Sequence, residues 1–218
     1  MKGIVLITGV ANAFDENLAA AFVREGYGVY VPGGCAVQGA VEVSQDFAEA
    51  AKQMAKEPGK VDYLVDTSDA RDSKDTFTAR DGIDAAVVEA LYRRNVLRPM
   101  AALEAFLPLL EAGEGKRLFY LTSASASMNE TRDINHYGYN MSKAALHQFL
   151  QMTRNKLAAK GYTFRAYDPM PGAVCAEAAA EGAFLYIVRR RAVDQDNALR
   201  DDEENLIFRD AQGRQHAW

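Results

Sequence analysis

Four consecutive apolar residues, Ile4-Val5-Leu6-Ile7, end in Thr8-Gly9 and lead into a helical stripe of Leu18, Ala21 and Phe22 closed by Gly26. An apolar run without alternation suits a strand buried on both faces, and such strands belong to parallel sheets covered by helices. The same unit recurs along the chain. Val29 to Val31 is a second strand, stopped by Pro32-Gly33-Gly34, and Val41 to Val43 a short third. Phe47, Ala48, Ala51 and Met54 mark a helix ending near Pro58-Gly59. Further strands are predicted over 61–65, 117–121, 164–167 and 205–208. Helices are predicted over 84–107, bent at Pro99, through Leu146, Phe149, Leu150 and Leu157, and over 176–191. Strands alternating with helices at this spacing require crossover connections. The expectation is an α/β, Rossmann-type doubly wound parallel sheet with helices on both faces, residues 1–218 forming a single domain. The polar segment 194–204 is expected to be its most mobile loop.

At 218 residues the chain is long enough to bury a continuous core, and 49% hydrophobic with 25% charged residues is a globular balance. A net charge of −5 and no basic stretch beyond Arg189-Arg190-Arg191 argue against nucleic acid as a partner. Cys35 and Cys175 lie far apart and outside any CxxC spacing, so neither a disulfide framework nor a metal site is expected, and a reducing compartment suits them. The first strand starts close to Met1, from which no signal peptide is expected. No apolar run approaches the roughly 18 residues of a membrane span. A soluble, cytoplasmic protein without a membrane partner is the corresponding expectation.

The residues that carry chemistry centre on Tyr139-Asn140-Met141-Ser142-Lys143. A tyrosine and a lysine four apart share one helix face. A phenol with a free pKa near 10 is a poor acid–base catalyst at neutral pH, and a neighbouring ammonium stabilises the phenolate and lowers that pKa.

In this context the chain resembles the short-chain dehydrogenase/reductase family over nearly its whole length. Val5-Leu6-Ile7-Thr8-Gly9 is similar to the family's first strand and turn, and Arg94-Asn95-Val96 to its active-site asparagine segment. Leu121-Thr122-Ser123 falls where the family places its serine, and Pro171-Gly172-Ala173-Val174 where a cofactor segment follows the sixth strand. The ending, Phe208-Arg209-Asp210-Ala211-Gln212-Gly213 with Trp218, resembles the C-factor-like branch. The resemblance implies reduction of a small carbonyl compound or oxidation of an alcohol with NAD or NADP. Tyr139 would be the general acid or base. Lys143 would lower its pKa and bind the nicotinamide ribose, Ser123 would hold the substrate oxygen, and Asn95 would hold a relay water. Ser125 and Ser127 rival Ser123, and Tyr137 rivals Tyr139. Thr8, Gly9, Asn12, Ala13, Phe14, Asp66, Lys143, Pro171, Gly172 and Val174 would contact the cofactor. The resemblance implies no metal.

Four departures bear on that reading. The family's Thr-Gly-x-x-x-Gly-x-Gly is Thr8-Gly9-Val10-Ala11-Asn12-Ala13-Phe14-Asp15 here, although Gly9-Val10-Ala11-Asn12 also resembles the loop of enoyl-acyl-carrier-protein reductases. A carboxylate at Asp15 opposes a pyrophosphate by roughly 2 kcal/mol per charge at about 6–8 Å, while its plain structural role is a helix cap. The family's Asn-Asn-Ala-Gly is Asp66-Thr67-Ser68-Asp69, which places two carboxylates near the expected adenosine. Val31-Pro32-Gly33-Gly34 carries neither the acid that favours NAD nor the base that favours NADP. Almost no chain separates Val174 from the next helix, so the site is expected to be open, or covered by a partner subunit or by segment 194–204. The alternative to an enzyme is a non-catalytic binding or assembly protein on the same scaffold. His136, His147 and His216 are read as structural or surface residues with no acid at a useful spacing. Helices carrying Leu97, Met100, Leu103 and Leu146, Phe149, Leu150 suggest a homodimer or homotetramer.

Overall fold

The apolar run at the start of the chain forms strand β1 (Ile4–Ile7), buried along its whole length. Its alternation divides the molecule into two cores. Val5 and Ile7 pack on one side of the sheet, and Ile4 and Leu6 on the other. The computed structural model describes all residues except 35–36, 79, 81, 171, 190, 194–198 and 202–204.

Chain order continues through α1 (Ala13–Arg24), β2 (Gly28–Pro32), β3 (Val41–Val43), α2 (Phe47–Lys56) and β4 (Tyr63–Asp66). A hairpin of β5 (Phe77–Thr78) and β6 (Gly82–Ile83), absent from the sequence-based expectation, precedes α3 (Ala85–Tyr92). A π-helical turn (Arg93–Leu97) joins α3 to α4 (Arg98–Ala112). Then come β7 (Arg117–Leu121), α5 (Tyr137–Leu157), β8 (Thr163–Asp168), α6 (Ala176–Val188), the hairpin strands β9 (Arg191–Val193) and β10 (Leu199–Asp201), and β11 (Ile207–Asp210).

Seven strands form one sheet in the order β3-β2-β1-β4-β7-β8-β11, every neighbouring pair parallel. Helices α1 and α6 cover one face, where Phe22 and Phe184 meet edge-on at 5.0 Å. Helices α2, α4 and α5 cover the other. This is the doubly wound α/β sheet expected. Strand order reverses between β1 and β4, so the crevice beyond their carboxyl ends is where such a sheet takes a ligand.

Several boundaries differ. The single helix expected over 84–107 is two helices with a π turn between them. The extra residue of that turn breaks the pattern, whereas Pro99 sits in the first turn of α4, where a missing N–H costs little. Helix α6 ends at Val188, and the final strand lies two residues later than expected. Within 194–204, residues 199–201 pair antiparallel with β9, while 194–198 and 202–204 lie outside the described residues. Leu146 and Leu150 face the sheet core rather than a partner, leaving Tyr92, Met100 and Met152 as exposed apolar groups of α3, α4 and α5. Among the described residues no helix is long and apolar enough to cross a membrane.

Candidate active site

At the β1/β4 switch point a cleft of about 560 Å³ is lined by Thr8 to Asn12, Asp15, Pro32 to Gly34, Gln45, Thr67 to Ala70, Arg94 and Arg98. Gly9 is required there. A Cβ on it would lie 2.9 Å from Thr67 Oγ1, which donates a 2.7 Å hydrogen bond to the Gly9 carbonyl. Thr8 Oγ1 donates to Asp66 Oδ2 at 2.7 Å, and Asp66 Oδ1 accepts from the Ser68 N–H. Asp66 is thus a fully buried tie between the ends of β1 and β4 and does not line the cleft, which corrects its expected place beside a cofactor.

The loop closes on itself more than expected. Asn12 caps α1, its Oδ1 accepting from the N–H groups of Phe14 and Asp15. Asp15 turns back and accepts the Ala11 N–H at 2.9 Å, while its other oxygen, Oδ1, has no partner. Only 1% of Asp15 is exposed, and burial pushes its carboxyl up from 3.8 to about 6. The carboxylate therefore takes up a loop donor that would otherwise face an anion. Opposing it, Arg94 and Arg98 extend over the cleft, Arg98 lying 4.4 Å above the Phe47 ring and donating to the Thr8 carbonyl at 3.3 Å. Of the other expected cofactor contacts, Ala13 is exposed at the helix start and Phe14 is packed in the core with Leu18. Gly172 and Val174 follow β8 but do not line this cleft, and Pro171 lies outside the described residues.

Beyond β4 and β7 the catalytic candidates converge. Helix α5 starts where Asp75 accepts the N–H groups of Gly138 and Tyr139, both at 2.8 Å. Tyr139 Oη donates to Asp69 Oδ1 at 2.7 Å and accepts from Arg71 Nη2 at 2.7 Å, and the Arg71 guanidinium lies 4.0 Å above its ring. Lys143 is fully buried, and its Nζ meets Ser68 O at 2.6 Å, Leu121 O at 3.1 Å and Asp69 Oδ1 at 3.1 Å. Asp69 thus reaches the tyrosine–lysine pair rather than the adenosine end. Burial, then the Asp69 charge, holds the Tyr139 phenol well above its ordinary value, which reverses the expected lowering by Lys143. Burial also pushes Asp69 up, but Lys143 and Arg71 outweigh it and hold that carboxyl below the usual range.

Asn95 is completely buried in the π turn. Its Oδ1 accepts from Ala70 N at 2.7 Å, and its amide donates to Ala70 O at 2.9 Å and Ser142 Oγ at 3.0 Å. The side chain clamps the loop after β4 onto α5, with both amide protons spent on protein rather than on the relay water the resemblance implied. Among the serines, Ser123 lies close enough to the Tyr139 phenol to favour its ionised form, a smaller influence than burial and Asp69, while its Oγ accepts from the Ser125 N–H. Ser127 is buried and caps a turn by accepting from the Asn129 and Glu130 N–H groups.

The histidines are paired, contrary to expectation. His216 is held between Glu130 Oε2 at 2.6 Å and Asp210 Oδ2 at 3.0 Å, and His136 meets Asp133 at 2.8 Å. His147 bonds the Thr122 hydroxyl and meets the Trp218 ring edge-on at 4.7 Å; burial, then Lys143, lowers it to about 3. The sequence reading missed Arg71, Arg94 and Arg98 as site residues. Arg94 and Arg98, four apart around Asn95, could have been found by helical spacing, whereas nothing local marks Arg71.

The short chain dehydrogenase family model matches residues 34–184, more than half of the chain. An uncharacterized oxidoreductase of Schizosaccharomyces pombe is 32% identical over 160 residues, 70% of this chain and 62% of that protein's length. The carbonyl reductase Sniffer of Drosophila melanogaster has a similar fold, with a TM-score of 0.80 at 13% identity over all of both chains. A carbonyl reductase of Pseudomonas aeruginosa solved with NADP gives 0.77 at 19% identity over 99% of this chain and 100% of that one. The match to the family model over more than half of its length makes this chain a member of the short chain dehydrogenase family.

Proposed function

We propose that the chain is an NAD(P)-dependent oxidoreductase interconverting a small carbonyl compound and its alcohol. The observation that carries this reading is that Tyr139, Lys143 and Ser123 meet beside a cleft built by the Gly9 loop and two arginines. The residues fit a dinucleotide. Gly9 leaves room where a Cβ would collide with Thr67, Arg94 and Arg98 attract negative charge, and Gly33, Gly34 and Gln45 line the far end. The NADP held by the Pseudomonas aeruginosa carbonyl reductase supports that assignment. NAD and NADP both remain compatible with the end of β2, where the Glu42 carboxylate is taken up by the Gly34 N–H and does not itself line the cleft.

When bound, the cofactor supplies the hydride in reduction or receives it in oxidation. Ser123 orients the substrate oxygen by hydrogen bonding. Tyr139 gives its phenolic proton to that oxygen as the carbonyl is reduced and takes it back in the reverse direction. Lys143 would hold the nicotinamide ribose and stabilise the phenolate. Asn95 keeps the loop after β4 in register with α5. Residues 1–218 act as one domain in this reading, in the cytoplasm, as a homodimer or homotetramer through the exposed side of α4 and α5.

Calorimetric titration with NADH and NADPH in separate runs tests the reading, followed by turnover of carbonyl substrates. Micromolar binding and activity that vanishes in Tyr139→Phe are expected. The carboxylates at Asp15 and Asp69 favour a second reading, a non-catalytic binding or assembly protein on this scaffold. No binding of either dinucleotide at millimolar concentration would establish it over the first.

A further inference from the structure

The carboxylate of Asp69 sits between the two groups on which the oxidoreductase reading depends. Its Oδ1 is 2.7 Å from the Tyr139 phenol and 3.1 Å from Lys143 Nζ. An ammonium has three donors, and Lys143 directs them to Ser68 O, Leu121 O and Asp69. Two of those partners are backbone carbonyls that cannot turn away. The third is a side chain that can. On the other side, Arg71 donates to the same phenolic oxygen and covers the ring. Both the proton and a lone pair of the phenol are therefore engaged within the protein.

We propose that Asp69 is an internal ligand of the Tyr139–Lys143 pair, holding the place that a hydroxyl-bearing ligand such as a ribose diol must take, and that the site opens when the Asp69 and Arg71 side chains rotate away. The identity of the displacing diol rests on the dinucleotide reading above; the latch itself does not. Asn95 fixes the Ala70 backbone through both its N–H and its carbonyl, so the opening motion belongs to side chains rather than to the loop. Both side chains border solvent, at 19% exposure for Asp69 and 49% for Arg71, so rotation delivers their charges to water. A ligand that needs the open state binds with its intrinsic affinity reduced by the open fraction. With the latch closed, phenolate formation is opposed by burial and Asp69 and favoured by Arg71, with Asp168 the further carboxylate acting on Arg71.

Asp69→Asn and Asp69→Gly test this, with circular dichroism confirming the fold of each. The alkaline tyrosinate absorbance of Tyr139 is read as the difference between each protein and its Tyr139→Phe counterpart. Removing the carboxylate is expected to lower the Tyr139 titration by about 1–3 units. It is also expected to tighten calorimetric binding of NADH or NADPH at least tenfold. An unchanged Tyr139 titration in folded Asp69→Asn would overturn the latch. A lowered titration with no dinucleotide binding in any variant would uphold the latch and overturn the oxidoreductase reading.

Discussion

Asp15 offers the most direct measurement of how the altered loop works. Its carboxyl is buried with one oxygen unpartnered, and burial raises it from 3.8 to about 6. An acid whose pKa is raised on folding contributes stability that is fully present below pH 3.8 and lost as the pH climbs through about 6. The shift is close to two units, and at about 1.4 kcal/mol per unit the ionised folded protein loses about 3 kcal/mol. Asp15→Asn keeps an acceptor for the Ala11 N–H but never ionises. It forgoes the favourable interaction of a negative charge with the start of α1, about 0.3–1 kcal/mol. The variant should therefore be about 2 kcal/mol more stable than the parent near pH 7.5, and the difference should shrink towards zero near pH 4. Urea unfolding followed by circular dichroism at both pH values measures it. A variant less stable than the parent at the higher pH, or a difference that ignores pH, would refute the account of Asp15 as a buried, strained charge. The same substitution should strengthen dinucleotide binding about tenfold at neutral pH, because a charge facing the pyrophosphate is removed.

Asn95→Ala should cost about 2–4 kcal/mol in urea unfolding, since it strands the Ala70 N–H and carbonyl in the interior; a loss under about 1 kcal/mol would show that the clamp is not needed. Arg98→Ala should weaken dinucleotide binding about tenfold, with a smaller effect at high salt because the guanidinium is exposed, and calorimetry at two salt concentrations checks both. His216 is raised chiefly by its hydrogen bond to Asp210, so its contribution is present below about pH 6.5 and lost as pH rises through the raised value. His216→Gln should accordingly be less stable than the parent in thermal melts at acidic pH, with a gap that narrows at alkaline pH.

The parallel, helix-covered sheet was legible because buried parallel strands are written as apolar runs, whereas the order of its strands came only from the tertiary structure. Ile4-Val5-Leu6-Ile7 serves two cores at once, and only hydrophobic residues suit both faces. The positions of Asn95, Ser123, Tyr139 and Lys143 were equally legible, since they lie at element ends or one helical turn apart. Which atoms those side chains bond was decided only by the tertiary structure. Asp69 and Tyr139 are 70 residues apart, and no periodicity relates them. The opposite direction of the Tyr139 shift, the pairing of His216 with Glu130 and the two arginines over the cleft all arise between distant segments. Local sequence determines which residues reach the edge of this sheet. The electrostatic state of the group depends on inverse distance and burial, and both exist only once the segments have come together.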